Sequence, residues 1–316
     1  MTLTRYSATL PFSAPDFLLR RGPYSDRPEV WSLDFGSSER HEPGLFVAAI
    51  PPDTDLADRL AAELAFRNDR PGLILIGPDA DPFSPRPDVQ HEVARIIEVL
   101  AERGIVAWLA TRGTPLPTLM ETLARHRQHV RVTVSLATLD QNIQRVIEPH
   151  AAPTEERLAL IAELNRRDVP VEVNLDPLLP GLTDTRDKLW LLLEQLAAFD
   201  VRQVTAGYLV LRPGVRERLR AALDPHGWAE VVLGAYHDGP IFRDGPNPAA
   251  QYLSKAKRQR GYAALMTLAS EFEVSARLSS LANPDFRPPR QPDTARARAM
   301  IQALRQSARN VRAVGA

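Results

Sequence analysis

Short apolar runs alternate along this chain with longer stretches of helical period. The runs at residues 45–50, 73–76, 105–110, 130–136, 169–175 and 204–211 predict strands. Each is bounded by Gly, Pro, Asp or Thr. Most are so uniformly apolar that burial on both faces is expected of them. Helices are predicted between them. Leu56, Leu60 and Leu64 repeat at helical spacing behind Asp53, a residue suited to the N-cap. Leu116, Leu119, Met120 and Leu123 fall on one helical face. Leu158, Ile161 and Leu164 follow a Pro153-Thr154 start signal, and Leu189, Leu192, Leu196 and Phe199 follow Thr183-Asp184.

Repeated strand–helix alternation implies a parallel sheet with right-handed crossovers. Periodicity leaves an open barrel and a doubly wound sheet equally available. Two regions depart from the alternation. Residues 7–43 are rich in Pro, Ser, Gly and charge and lack a sustained period. Beyond residue 225 the pattern predicts a helix over 249–272, a short strand over 274–278, a Pro-rich stretch over 283–292 and a basic terminal helix. The expected organisation is therefore a lead-in at 1–43, an α/β core at 44–224 and a mostly helical extension at 225–316.

Composition narrows the chemistry. Among 316 residues, 39 basic side chains balance 39 acidic ones, which argues against a sequence-independent nucleic-acid binder. There is no cysteine, so this chain has no disulfide, thiol nucleophile, zinc ribbon or thiolate-held iron–sulfur cluster. No apolar run approaches the roughly 20 residues that span a bilayer, and residues 1–20 lack a signal-peptide pattern. A cytoplasmic protein without membrane attachment is expected.

In parallel α/β folds, ligands bind at the carboxyl ends of the strands. Those ends carry Asp79 and Asp81, Thr111 and Arg112, Ser135, Thr138 and Asp140, Asn174 and Asp176, and Tyr208 and Arg212. Asp and Ser at such junctions also close turns and cap helices, so a purely structural role stands beside ligand binding. Asp79 and Asp81 could form a carboxylate pair or hold a hard cation; flanking prolines favour a rigid turn.

The order of these ends carries a resemblance. Segments 77–85 (GPDADPFSP), 111–113 (TRG), 134–140 (VSLATLD), 148–153 (EPHAAP) and 177–184 (PLLPGLTD) resemble those that recur, in that order, in spore photoproduct lyase-like radical-SAM proteins. The resemblance implies a partial (β/α)6 TIM-like barrel with a helical C-terminal extension. It also implies a ligand pocket of Asp79, Asp81, Thr111, Arg112, Ser135, Thr138, Asn174 and Asp176, with S-adenosylmethionine as the candidate ligand. Arg112 is suited to meet a carboxylate through its bidentate fork. Relatives carry three cysteines near the start; the matching positions here are Thr9, Ser13 and Asp16. Hydroxyls and one carboxylate cannot hold a four-iron cluster. A catalytically degenerate homologue is therefore expected, with a small molecule or a protein as partner. The alternative is an enzyme using the same cleft for hard-metal or acid/base chemistry through Asp79, Asp81 and Asp176.

Other clusters are weaker. His126 and His129 share a helix face at a spacing suited to a metal, but they lie in an Arg-rich helix with no third ligand nearby, and a solvated face is the expected role. Tyr236-His237-Asp238 reads as a polar loop. Lys255, Lys257, Arg258 and Arg260, with Tyr252 and Tyr262, could touch phosphates and stack on bases. Their spread over several helical faces favours a solvated surface.

Overall fold

The computed structural model describes residues 19–21, 30–33, 55–67, 71–76, 81–243, 249–280 and 282–286. Two units make up the chain, residues 1–282 and 283–316. The second contributes one described 3-10 turn, Pro284–Phe286.

The first unit opens with β1 (Leu19–Arg21) and β2 (Val30–Leu33). Strands and helices then alternate: α1 (Leu56–Phe66), β3 (Leu73–Ile76), α2 (Pro87–Ala101), β4 (Val106–Thr111), α3 (Pro117–Arg125), β5 (Val130–Ser135), α4 (Gln141–Ile147) and α5 (Thr154–Arg166). After them come β6 (Val171–Leu178), α6 (Arg186–Ala198), β7 (Gln203–Tyr208), α7 (Val215–Leu223) and α8 (Ala229–Gly234). A small hairpin of β8 (Ile241–Phe242) and β9 (Ala250–Gln251) precedes α9 (Lys255–Glu271) and β10 (Ser275–Leu278).

Local chemistry explains the boundaries. Pro87 and Pro117 open α2 and α3, where a missing N–H is no loss. Asp140 caps α4, its Oδ1 accepting from the Asn142 and Ile143 amides at 3.0 and 3.2 Å. The α2 stripe Val89, Val93, Ile96, Ile97 and Leu100 is buried against the sheet layer, as its spacing requires.

The main sheet has eight strands in the order β1-β2-β3-β4-β5-β6-β7-β10. Strands β2 to β7 run parallel, β10 extends the sheet in parallel beside β7, and β1 lies antiparallel on β2. This is a partial (β/α)6 barrel, six parallel strands with helices in the crossovers, widened at both edges.

At β4, β6 and β7 the two faces of the sheet differ, which corrects the expectation of burial on both sides there; β3 and β5 are buried on both, with Leu75, Thr133 and Ser135 at 4%, 8% and 5% exposure. Ala107, Leu109, Val132, Val134, Val173, Leu175, Val204 and Ala206 are all 0% exposed. The alternating positions Trp108, Ala110, Glu172, Asn174, Asp176 and Thr205 keep part of their surface. A closed core would fill that second face with apolar side chains; a partial barrel leaves it open.

Three further expectations change. The segment expected as an irregular lead-in contributes β2, a parallel member of the sheet. The helix expected over 249–272 begins only at Lys255, because Ala250 and Gln251 pair with β8. His126 and His129 do not lie on one α-helix: α3 ends at Arg125 with His126 as its C-cap, and His129 sits in a 3-10 turn. Residues 45–50 and the basic terminal helix lie outside the described residues.

Candidate functional site

Strand register assembles a polar row on the open face. Ser135 of β5 sits beside Asn174 of β6, Asn174 beside Thr205 of β7, and Thr205 beside Arg277 of β10. Nothing in the local sequence around any one of them announces the row; pairing brings them together. Asn174 Oδ1 is buried and accepts no hydrogen bond among the described residues. A buried carbonyl left without a donor costs about 1–3 kcal/mol, so this oxygen is suited to a donor that arrives from outside the chain.

Above the row, the segments that carry the resemblance interlock. Asp81 Oδ1 accepts from the Thr111 hydroxyl at 2.6 Å and the Phe83 amide at 2.8 Å. Its Oδ2 accepts from the Arg112 amide at 2.6 Å. Three donors on one carboxylate make Asp81 a latch between the loop after β3 and the end of β4. Gly113 completes that contact: a Cβ there would lie 2.3 Å from the Phe83 carbonyl oxygen, so only glycine allows the approach.

Arg112 then crosses to the next segment. Its Nε donates to Glu148 Oε1 at 2.7 Å and its Nη2 to the Asp176 carbonyl at 3.3 Å. The other oxygen of Glu148 accepts from Arg157 Nη1 at 2.9 Å, and the same Nη1 donates to the Ser135 carbonyl at 2.7 Å. Arg157 is 1% exposed. The network thus ties together the ends of β4, β5 and β6.

Asp176 stands next to this network with its carboxyl enclosed. Burial pushes it up to about 6, against the pull of Arg112 and Arg212 and a hydrogen bond from Ser279. Gly207 makes room for it, since a Cβ there would lie 2.7 Å from Asp176 Oδ2. At the end of β7, the Tyr208 hydroxyl donates to Asp184 Oδ2 at 2.7 Å, and burial with the Asp184 charge raises that phenol. Tyr262 accepts from the Tyr208 amide at 3.1 Å, and the two rings lie 5.2 Å apart.

Of the expected pocket residues, Asp81, Thr111, Arg112 and Asp176 converge through these bonds, and Ser135 and Asn174 adjoin in register. Thr138 stands apart: its hydroxyl accepts from the Asp140 amide at 3.1 Å and shapes the entry to α4. Asp79, Thr9, Ser13 and Asp16 lie outside the described residues. Missing from the expected list were Glu148, Arg157, Thr205 and Arg277. Arg157 was legible, because it shares the phase of Ile161 and Leu164 on the buried stripe of α5.

The same rule takes Arg258 and both tyrosines out of the expected phosphate-and-stacking surface, leaving Lys255 and Arg260 exposed. Arg258 is in phase with Tyr262 and Leu265 on α9 and is 0% exposed; its Nε donates to the Leu253 carbonyl at 2.8 Å. Tyr252 and Tyr262 are also buried, and Lys257 pairs with Asp238. Tyr236, expected in a polar loop, is fully buried with its hydroxyl on the Leu209 carbonyl at 2.6 Å.

Similarity to known proteins agrees with this geometry. No family model matches the chain. An uncharacterized protein of Mycobacterium tuberculosis is 30% identical over 220 residues, which are 69% of this chain and 60% of that protein. A radical SAM Nalpha-GlyT isomerase of Pseudomonas phage M6 is 29% identical over 150 residues, 46% of this chain and 31% of that protein. The chain spans about 60% of the length of the mycobacterial relatives it matches. Among solved structures, spore photoproduct lyase complexed with dinucleoside spore photoproduct superposes with a TM-score of 0.57 at 11% identity, over 73% of this chain and 67% of that one. A variant of that lyase with bound AdoMet and dinucleoside spore photoproduct superposes equally well.

The fold is therefore a partial α/β barrel of the form seen in spore photoproduct lyase, in a chain that contains no cysteine.

The cysteine-free donor set does not fit the cluster that radical-SAM chemistry uses, because soft deprotonated sulfur is absent from this chain. Among the described residues, no group of three or more acidic or histidine side chains is placed to hold a metal ion. No helix among them is long and apolar enough to cross a membrane.

Proposed function

We propose that this chain is a catalytically degenerate radical-SAM-type barrel that binds a small molecule at its strand ends and acts in the cytoplasm as a partner or regulatory protein. The observation that carries the reading is the unpaired Asn174 oxygen, set in a polar row on the open face of a barrel that has no cysteine. S-adenosylmethionine suits the row chemically. Its ammonium and ribose hydroxyls are donors for Asn174, and its carboxylate is a partner for an arginine fork. The Asp81 latch and the Glu148 network would hold the strand ends in place for it, so that little ordering is needed on binding.

Calorimetric titration of the protein with S-adenosylmethionine tests this, with Asn174→Ala and Ser135→Ala alongside. Specific binding that weakens roughly tenfold in Asn174→Ala, the scale of one buried hydrogen bond, is expected. No heat at millimolar ligand would sink the reading.

A second reading rests on Asp176. A carboxyl held near 6 is poised to take and give a proton close to neutral pH, which an acid/base enzyme using this cleft would need. Asp81, committed to three donors, serves only the turn in that reading. The two separate on turnover: under the second reading Asp176→Asn abolishes it, and under the first the wild-type protein has none to lose.

A further inference from the structure

A cleft of about 620 Å³ lies beyond the end of β7, between α7, α8 and the β8–β9 hairpin. Its size is that of sites for small organic ligands. Arg216 and Arg220, four residues apart on α7, both line it. Their circumstances differ from those of the barrel arginines. Arg216 Nη2 donates at 2.6 Å to Gln251 Oε1, a neutral acceptor that leaves its charge uncompensated. Gln251 is itself fixed, its Nε2 donating to the Tyr236 carbonyl at 2.8 Å and the Gly239 carbonyl at 3.2 Å. Arg216 is thereby oriented before any ligand arrives. The Arg220 side chain makes no hydrogen bond or ion pair with any described residue.

The other walls set the ligand's character. His237 adds a further nitrogen base, and Leu233 an apolar wall. Glu230 is the one carboxylate among the lining residues; it lies over Gly234, where a Cβ would come within 2.9 Å of its Oε1. Two guanidinium groups against one carboxylate leave the cleft net cationic. A planar fork carrying several donors matches a phosphate better than a point charge does.

We propose that this cleft is a second ligand site, separate from the barrel mouth, that takes a small phosphate-bearing molecule of nucleotide size. Arg216 and Arg220 hold the phosphate, and the body of the molecule lies along Leu233 and Gly234. The site requires no cofactor and does not depend on the proposed role of the polar row.

Calorimetry with AMP, adenosine and inorganic phosphate at low salt tests it. AMP is expected to bind more tightly than either of the other two, and more weakly as salt is raised. Arg220→Ala, an exposed change that should leave the fold intact, is expected to weaken AMP by roughly tenfold or more, with Arg220→Lys recovering part. Gly234→Leu should close the cleft to AMP, while Asn174→Ala in the barrel leaves AMP binding unchanged. Adenosine binding as tightly as AMP, no heat with AMP at about millimolar concentration, wild-type affinity in Arg220→Ala, or loss of AMP binding in Asn174→Ala would each overturn the proposal.

Discussion

Glu148 is the hinge of the network at the strand ends, and removing its carboxylate is the most informative perturbation of the fold. Its side chain is 4% exposed and joins two arginines, Arg112 at 2.7 Å and Arg157 at 2.9 Å. At those separations each attraction is about 6 kcal/mol gross at an effective dielectric near 20, before desolvation is subtracted. Arg157 cannot escape to water. Its Nε already lacks a partner, and without Glu148 its Nη1 keeps only the Ser135 carbonyl. A buried cation stripped of its counter-ion typically costs about 3–5 kcal/mol. Glu148→Ala is therefore expected to lower stability by about that amount, and Glu148→Gln, which keeps one acceptor, by about half as much. In urea unfolding followed by far-UV circular dichroism, a slope of about 3 kcal/mol/M makes the Ala shift roughly 1–1.7 M. Replacing the whole network by apolar residues (Arg112→Met, Glu148→Leu, Arg157→Met) should recover most of the loss, because no charge is then stranded. A midpoint shift in Glu148→Ala below about 0.3 M, or no recovery in the triple variant, would refute the account of a desolvated, mutually dependent triad.

Two other outcomes are expected. Gly261→Ala lies inside α9, where alanine ordinarily gains about 1 kcal/mol; here its Cβ would stand 1.7 Å from the Tyr208 hydroxyl oxygen. It should instead destabilise by about 1–3 kcal/mol, with partial relief from Tyr208→Phe, and a raised melting temperature in Gly261→Ala would contradict the packing. The Asp176 carboxyl is raised from 3.8 to about 6 in the folded chain, so between those values the folded state holds a proton that the unfolded state has released. Stability is then expected to fall as pH rises through about 4 to 6, by up to about 3 kcal/mol. Asp176→Asn should flatten that slope and gain stability at neutral pH; an unchanged slope in denaturation curves across the window counts against it.

The elements and their phases belonged to the sequence. Apolar runs bounded by Gly, Pro and Asp predicted the strands at 73–76, 105–110 and 130–136 within a residue of β3, β4 and β5. Helical stripes placed α1, α3, α5 and α6. The phase of Ile161 and Leu164 carried a signal for a buried Arg157, and that of Tyr262 and Leu265 one for Arg258, which the sequence reading instead left on a solvated surface. The absence of cysteine removed cluster chemistry from this chain without any structure.

Tertiary structure decided the rest. Whether β4 and β6 were buried on one face or two depended on closure of the sheet, which local period does not report. β2 is four residues long, too short to stand out from a Pro- and Ser-rich stretch, and it is a strand because β3 pairs with it. The row Ser135, Asn174, Thr205 and Arg277 joins residues up to 142 positions apart (277 − 135) through the register of β5, β6, β7 and β10. The Glu148 triad likewise needed three strand ends in place before its charges could meet. Periodicity is a property of neighbours along the chain, and it marks which side chains turn inward. Which of them meet is set by long-range pairing.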